Sequence, residues 1–231
     1  ITSSVSVNTT AGFSIVSYTG TGSNATVGHG LGVAPKFIIV KNRDDASKSW
    51  VTQITVLGNN YLELNNTNAT FSGSTYFNNT APTSSVFSVG TVGSTNASSD
   101  DFIAYCFAEK KGYSKIGTYT GNGNADGTFV YTGFAPAFVL SKCTSHAGEN
   151  WNINDNKRPG HNVIQNALLP DSSAAEVTAS FQALDILSNG FKWRGTNDRV
   201  NASGKTYLYL AFAENPFVGN VSGTAVPVTA G

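Results

Sequence analysis

Short apolar runs separated by turn residues follow one another along the whole chain. Phe37–Lys41 and Ala137–Ser141 are β-branched and aromatic runs after a proline, and Asp101–Phe107 and Thr206–Phe212 are almost continuously apolar. Such runs, bounded by glycine and asparagine turns, predict β-strands. The last two predict central strands, buried on both faces or nearly so. The pattern therefore predicts an all-β protein.

The strand and turn pattern occurs twice. Tyr18–Gly22 recurs as Tyr119–Gly123, and Gly32–Phe37 recurs as Gly133–Phe138, both displaced by 101 positions. Further landmarks repeat in the same order: Lys41 with Lys142, Trp50 with Trp151, Asn96–Ser98 with Asn201–Ser203, and Phe107–Glu109 with Phe212–Glu214. The last two are displaced by 105 positions, so about four residues enter the second copy. Chance does not explain this agreement, and we interpret it as a tandem duplication.

Each copy has the size of one small β-sandwich, about 100 residues. The junction Glu109–Tyr113 is too short for a flexible linker, so we expect two jelly-roll-like sandwiches packed together. The strand that follows Asn201–Gly204 resembles concanavalin-like jelly rolls, an analogy at the level of fold only. The predicted organisation is an N-terminal arm (1–11), sandwich repeat 1 (12–111), sandwich repeat 2 (112–219) and a C-terminal arm (220–231).

Composition narrows the class of protein. The 14 basic residues balance the 14 acidic residues, and only 12% of the chain is charged, about half the ~25% of an average domain. Nucleic-acid binders carry a basic patch, so we expect no nucleic-acid partner. No apolar run reaches the ~18 residues of a membrane span. The chain contains no Met, and Ile1 is expected to be a cut or boundary within a larger component.

Catalytic chemistry is not expected. Glycan-cleaving enzymes need two facing carboxylates, and the acids repeated in both copies are Glu109 and Glu214, each at the end of an apolar run. A polar residue that closes a buried strand explains both more simply. The sequence has no nucleophile elbow and no phosphate-binding glycine loop with its lysine. We therefore predict no catalytic residues and no cofactor.

Cysteine and histidine give no metal motif. Cys106 and Cys143 could form one disulfide, but two partly buried thiols are the simpler interpretation. Cys143 lies close to His146 in sequence, yet a metal would need two further ligands that the spacing does not supply. We therefore predict no metal.

Tryptophan is the usual platform for a sugar ring. Trp50 and Trp151 repeat, which favours a core role for both. Trp193 stands where the first copy has Val89. Because this tryptophan is specific to one copy, we expect it, rather than the repeated pair, to have a surface role. The candidate binding residues are Trp193, His146 and Arg194.

The combined landmarks resemble a known family. The second copy carries the fullest set: Tyr119–Gly123, Gly133–Phe138, Ser188–Phe191, Asn201–Gly204 with Tyr207, and Ala211–Phe217. In the first copy, Gly30–Pro35 and Asn78–Phe87 are also similar. This set resembles the repeated β domain of tail fibre and other virion structural proteins of bacteriophages, especially marine ones, over about nine tenths of the chain.

The resemblance implies a non-catalytic protein on the virion surface, outside the cell. We expect a tail fibre or similar appendage that contributes to host attachment by binding a receptor or a host-surface glycan. One alternative is a capsid-decorating protein whose terminal arms bind the shell, and a second is a glycan-degrading tailspike. The expected partners are other virion proteins, contacted through the arms, and further copies of the chain in a trimer, without membrane insertion.

Overall fold

The computed structural model describes residues 1–158 and 162–214 and is nearly all β, with 42% strand and 7% helix. The all-β class predicted from the sequence is therefore confirmed. The first half contains β1 (Ser3–Asn8), β2 (Phe13–Thr19), β3 (Ala25–Gly28), β4 (Phe37–Asn42), β5 (Val51–Ile54), β6 (Asn60–Glu63), β7 (Phe71–Ser72), β8 (Val86–Val89) and β9 (Asp101–Phe107). The second half contains β10 (Ser114–Thr120), β11 (Phe129–Tyr131), β12 (Pro136–Cys143), β13 (Asn152–Asp155), β14 (Asn166–Ala167), β15 (Val177–Thr178), β16 (Leu184–Leu187), β17 (Gly190–Trp193) and β18 (Thr206–Ala213).

The helical segments are each one turn long. They comprise α1 (Ser74–Phe77), α2 (Gly93–Asn96) and two 3₁₀ turns at Thr55–Leu57 and Ser180–Gln182. Among the residues placed in the structure, no helix is long and apolar enough to cross a membrane.

Antiparallel sheets form both halves. The first half has a seven-stranded sheet in the order β1-β2-β9-β4-β5-β6-β7, faced by the pair β3-β8. The second half has a four-stranded sheet, β10-β18-β12-β13, together with the smaller sheets β11-β17-β16 and β14-β15. The predicted central strands are confirmed, because β9 lies between β2 and β4 and β18 lies between β10 and β12.

Strand succession is alike in the two halves. The order β2-β9-β4-β5 matches β10-β18-β12-β13, and Tyr18 pairs with Phe102 as Tyr119 pairs with Tyr207. This similarity is what a duplication would produce. The duplication itself, the repeat bounds and the concanavalin-like analogy remain predictions from the sequence.

Each half has its own apolar core. In the first half, aromatic and aliphatic side chains of β2, β3, β4, β8 and β9 meet, among them Tyr18, Val27, Ile38, Phe87 and Phe102. In the second half the core joins β10, β11, β12, β17 and β18, with Tyr119, Val130, Val139, Phe191 and Tyr207.

A third core joins the halves, and we call it the shared core. Side chains alternate across a strand, so Tyr207 and Tyr209 of β18 face their own sandwich while Leu208 and Leu210 face the other half. The shared core consists of Phe37, Ile54 and Leu62 from the first half and Ile116, Leu140, Trp151, Leu208 and Leu210 from the second. The two halves are therefore packed against each other directly.

The repeated turn motifs have a structural role. The Asn96 side chain lies between two loops, where Nδ2 donates to the backbone oxygens of Ser23 (2.6 Å) and Gly90 (2.7 Å). Asn201 repeats this arrangement with Asn124 and Gly195, at 3.0 Å each. Both asparagines are fully buried. The two asparagines hold the end of each sandwich together and are not exposed for binding.

The prediction of an N-terminal arm is wrong for the segment that forms β1. Ser3–Asn8 pairs along its length with Phe13–Tyr18, so it is the edge strand of the large sheet. The Ile1 backbone nitrogen also donates to the Thr26 carbonyl at 2.8 Å. The backbone of this segment is thus hydrogen-bonded to its own chain. The predicted C-terminal arm, 220–231, lies outside the described residues.

Candidate functional site

The predicted surface role of Trp193 is wrong. Its side chain is completely buried in the core of the second half. The ring stacks on Tyr119 with centroids 6.4 Å apart and meets Phe191 edge-on at 6.1 Å. Phe191 and Trp193 lie two positions apart on β17, which places both on the inward face. Trp193 is therefore a core side chain, as Val89 is in the first half.

The repeated tryptophans have different environments. Trp151 is fully buried, as its predicted core role requires, and its Nε1 donates to the Glu63 carbonyl of the first half at 2.9 Å. Trp50 is only partly buried. Its ring lies over Tyr105 with a centroid separation of 6.5 Å and an interplanar angle of 17°. The tryptophan available to a ligand is thus Trp50.

Trp50 lines a surface pocket of about 280 Å³, which we call the seam pocket because both halves contribute to it. Leu64 and Asn65 come from the first half and Pro170 from the second. The Trp50 backbone N–H donates to Asn65 Oδ1 at 2.9 Å, which fixes the amide beside the indole. In the part of the chain that the structure describes, Asn65 Nδ2 has no acceptor, so it can donate to a ligand.

The second wall of the seam pocket is held by Asp171, the neighbour of Pro170. Asp171 Oδ2 accepts hydrogen bonds from Asn150 Nδ2 at 3.2 Å and from the Trp151 backbone at 3.3 Å. Burial raises the pKa of the Asp171 carboxyl. Pro170 is therefore placed opposite Trp50 by contacts that link it to the shared core.

Arg194 is committed to surface ion pairs. Its Nε lies 2.6 Å from Asp185 Oδ2, and Nη1 lies 3.4 Å from Asp126 Oδ1. Lys192 binds the same oxygen of Asp126 and, with Arg194, lowers the pKa of that carboxyl. Arg194 thus joins neighbouring strands and loops through its ion pairs.

His146 lies in an exposed loop, away from Cys143, which is buried with a free thiol. Cys106 is likewise buried and free, and burial raises its thiol pKa to about 12. The imidazole of His146 instead approaches the carboxylates of Glu149 and Asp198, with one ligand atom of each residue within 4.8 Å of the others. Sequence spacing could not reveal this group, because Asp198 comes from a different loop.

The acids considered for catalysis have structural partners. Glu109 Oε1 accepts the Ile116 backbone N–H at 2.8 Å. Glu214 pairs with Lys157 and accepts from Asn156 Nδ2 at 3.2 Å, and hydrogen bonding with Lys157 lowers the pKa of its carboxyl. Glu214 borders a surface cavity of about 440 Å³ whose lining contains no second carboxylate among the described residues. This environment keeps Glu214 ionised.

Comparison with known proteins yields one result. A family model described as a domain of unknown function (DUF7483) matches residues 1–216. No curated protein matches significantly, and neither does any solved structure. Because the single match spans both halves, the pair of halves together corresponds to the unit of that family.

Proposed function

We propose that this chain, which belongs to the DUF7483 family of domains of unknown function, is a non-catalytic virion surface protein that binds a host-surface glycan. The observation that carries the proposal is the partly exposed indole of Trp50 beside the amide of Asn65 in the seam pocket. Aromatic faces receive the apolar C–H face of a sugar ring, and amides bond its hydroxyls. Small-ligand sites commonly combine such apolar walls with a few fixed polar groups.

Charge and scaffold support a neutral ligand. The chain has a formal net charge of +0 with 12% charged residues, so long-range attraction of an ionic partner is weak. Loops carried on a rigid β scaffold are common binding surfaces. The virion assignment rests on the sequence resemblance to phage fibre domains, and the seam pocket supplies the place where an attachment protein would hold a sugar.

Binding of host polysaccharide by Trp50 variants tests the pocket. We expect Trp50→Ala to weaken binding of surface polysaccharide from a susceptible host at least tenfold, because the stacking face is removed. Trp50→Phe should retain part of the affinity. Tyr131→Ala is the matched control, since Tyr131 is an aromatic side chain with 64% exposure outside the seam pocket.

Four outcomes would contradict the proposal. Wild-type affinity in Trp50→Ala would refute the seam pocket as the binding site. A loss of binding confined to Tyr131→Ala would place the binding site elsewhere. Absence of binding to any host polysaccharide would refute the glycan function itself. Release of reducing ends by the wild-type protein, abolished when Glu109 and Glu214 are both changed to Gln, would favour a degrading tailspike.

Electron microscopy of intact particles with a labelled antibody tests the virion assignment. Label on a tail appendage supports attachment, label over the capsid supports decoration of the shell, and unlabelled particles would refute both. Light scattering of the purified chain tests the expected trimer, and a stable monomer would count against a fibre shaft.

A further inference from the structure

We infer that His146, Glu149 and Asp198 form a binding site for a divalent transition-metal cation, with Zn²⁺ as the ion that fits best. Their ligand atoms lie within 4.8 Å of one another. Ligands at about 2.0–2.2 Å from a zinc ion are roughly 3–4 Å apart. These side chains are exposed or partly buried. Rotations that move each ligand atom by about an ångström therefore bring all three within bonding distance of one ion.

The backbone that carries these ligands is held firmly. In the histidine loop, the Thr144 N–H donates to the Thr206 carbonyl at 2.9 Å, and Ser145 Oγ accepts the Thr206 N–H at 3.0 Å. Across the halves, the Gly148 N–H donates to the Thr67 carbonyl at 2.9 Å. Because the backbone is already fixed, only the ends of the side chains lose freedom when they bind an ion, which lowers the entropic cost of binding.

The Glu149 and Asp198 positions are anchored by separate contacts. Lys142 is fully buried, and its Nζ donates to the Glu149 carbonyl at 2.7 Å. The Asp198 carbonyl accepts the Tyr207 hydroxyl at 2.8 Å. These bonds use main-chain atoms and leave the carboxylates available to a ligand.

The ligand atoms are largely unused. In 1–158 and 162–214, the side chains of His146 and Glu149 have no hydrogen-bond or ion-pair partner. Asp198 Oδ2 pairs with Lys205 Nζ at 3.1 Å, in a bridge whose acid side chain is 45% exposed. Lys205 thus competes with a metal at Asp198 Oδ2, while Arg199 and Lys142 attract the Glu149 carboxylate electrostatically. Asp198 Oδ1 remains open.

The first half offers an internal comparison. Lys41 Nζ donates to the Lys48 carbonyl at 2.6 Å, in the manner of Lys142 and Glu149. At the positions equivalent to His146 and Glu149, Asp45 and Lys48 form a salt bridge of 3.3 Å. The first loop therefore carries its own cation.

In the second half, the corresponding lysine is replaced by a carboxylate and the aspartate by an imidazole. A third ligand, Asp198, stands where the displacement of 105 places Gly93 in the first half. The second loop has therefore exchanged the Lys48 ammonium for donor atoms, and Lys205 from another loop pairs with one of them, Asp198 Oδ2.

The donor types select the class of ion. One imidazole nitrogen with two carboxylate oxygens suits Zn²⁺, whereas Ca²⁺ and Mg²⁺ favour oxygen-only sets. Three protein ligands leave a tetrahedral zinc with a fourth position for water. We therefore expect Zn²⁺ to bind more tightly than Ca²⁺ or Mg²⁺.

Calorimetric titration of the chelator-treated full chain with ZnCl₂ tests the site. We expect one equivalent to bind, with affinity lowered at least tenfold by His146→Ala, by Glu149→Gln and by Asp198→Asn. Lys205→Met should tighten binding, because it removes the competing ammonium. Asp45→Asn, in the equivalent loop of the first half, is the matched control and should bind as the wild type does.

Thermal unfolding gives a second readout that also checks the fold of each variant. Added ZnCl₂ should raise the Tm of the wild type and leave that of His146→Ala unchanged, because ligand binding stabilises only a state that contains the site. Failure of the wild type to bind Zn²⁺ below millimolar concentration would overturn the inference. Unchanged affinity in His146→Ala, or equal affinity for Ca²⁺, would overturn it as well.

Discussion

Replacement of Trp151 by alanine should destabilise the whole chain, because Trp151 belongs to the core that both halves share. The side chain is completely buried and lies with Phe37 and Leu62 of the other half in the shared core. Its Nε1 donates to the Glu63 carbonyl at 2.9 Å. The substitution removes apolar contact and a hydrogen bond at the same place.

The expected loss follows from these two contributions. Truncation of a buried Trp to Ala costs about 3–5 kcal/mol, and one hydrogen bond contributes about 1 kcal/mol. The free energy of unfolding should therefore fall by about 4–6 kcal/mol. In a chain of this size 1 kcal/mol corresponds to about 2–4 °C, so the Tm should fall by roughly 8–24 °C.

Urea denaturation followed by circular dichroism measures the change. Trp50→Ala is the matched control at the repeat-equivalent position, and it should cost only about 1 kcal/mol because Trp50 is partly exposed. We expect the wild type to unfold in one transition, since the shared core joins the halves. A loss below about 1 kcal/mol in Trp151→Ala, or equal losses in the two variants, would refute this reasoning.

Two further predictions concern buried polar groups. Asn201→Ala should lower the free energy of unfolding, measured by urea denaturation, by about 2–4 kcal/mol, because the carbonyls of Asn124 and Gly195 lose their donor. Asn96→Ala should lower it by a similar amount. A change below about 1 kcal/mol would contradict the bridging role. Burial lowers the pKa of His29 in the folded chain, so as the pH falls the unfolded chain takes up the proton first. The free energy of unfolding should therefore be at its full value above about pH 6.5 and fall as the pH drops below that value. His29→Gln should reduce this loss between pH 7.5 and 5.5 in urea titrations, and an unchanged pH dependence would argue against it.

Strand positions were predictable because they depend on local pattern. The nearly continuous apolar run of Asp101–Phe107 is β9 without any change of bounds, and Thr206–Phe212 differs from β18 by one residue. The run in β18 is apolar on both faces because each face meets a different core. The sequence does not predict the edge strand Ser3–Asn8 as part of a sheet, because its apolar residues are two valines, and five of its six residues are exposed.

The candidate site was less predictable because it depends on what covers each residue. The absence of an equivalent tryptophan in the first half predicts a surface role for Trp193, but its position on β17 turns the side chain inward. Trp50 and Trp151 each immediately precede a strand, and nothing in their local sequence separates the exposed one from the buried one. The approach of Asp198 to His146 likewise depends on tertiary structure.

The shared core constrains the strands that meet there more than the loops around them. A residue such as Leu210 or Phe37 contacts the opposite half, so a change on that face must suit two sheets at once. Loops have no such constraint: one carries the Asp45–Lys48 ion pair, and its equivalent carries His146 and Glu149 as open donors. Neither half could leave the other without exposing an apolar sheet face, a surface that folded domains rarely present to water. The family match across residues 1–216 agrees with this dependence, and new binding chemistry in such a pair is expected to arise in its loops and along its seam.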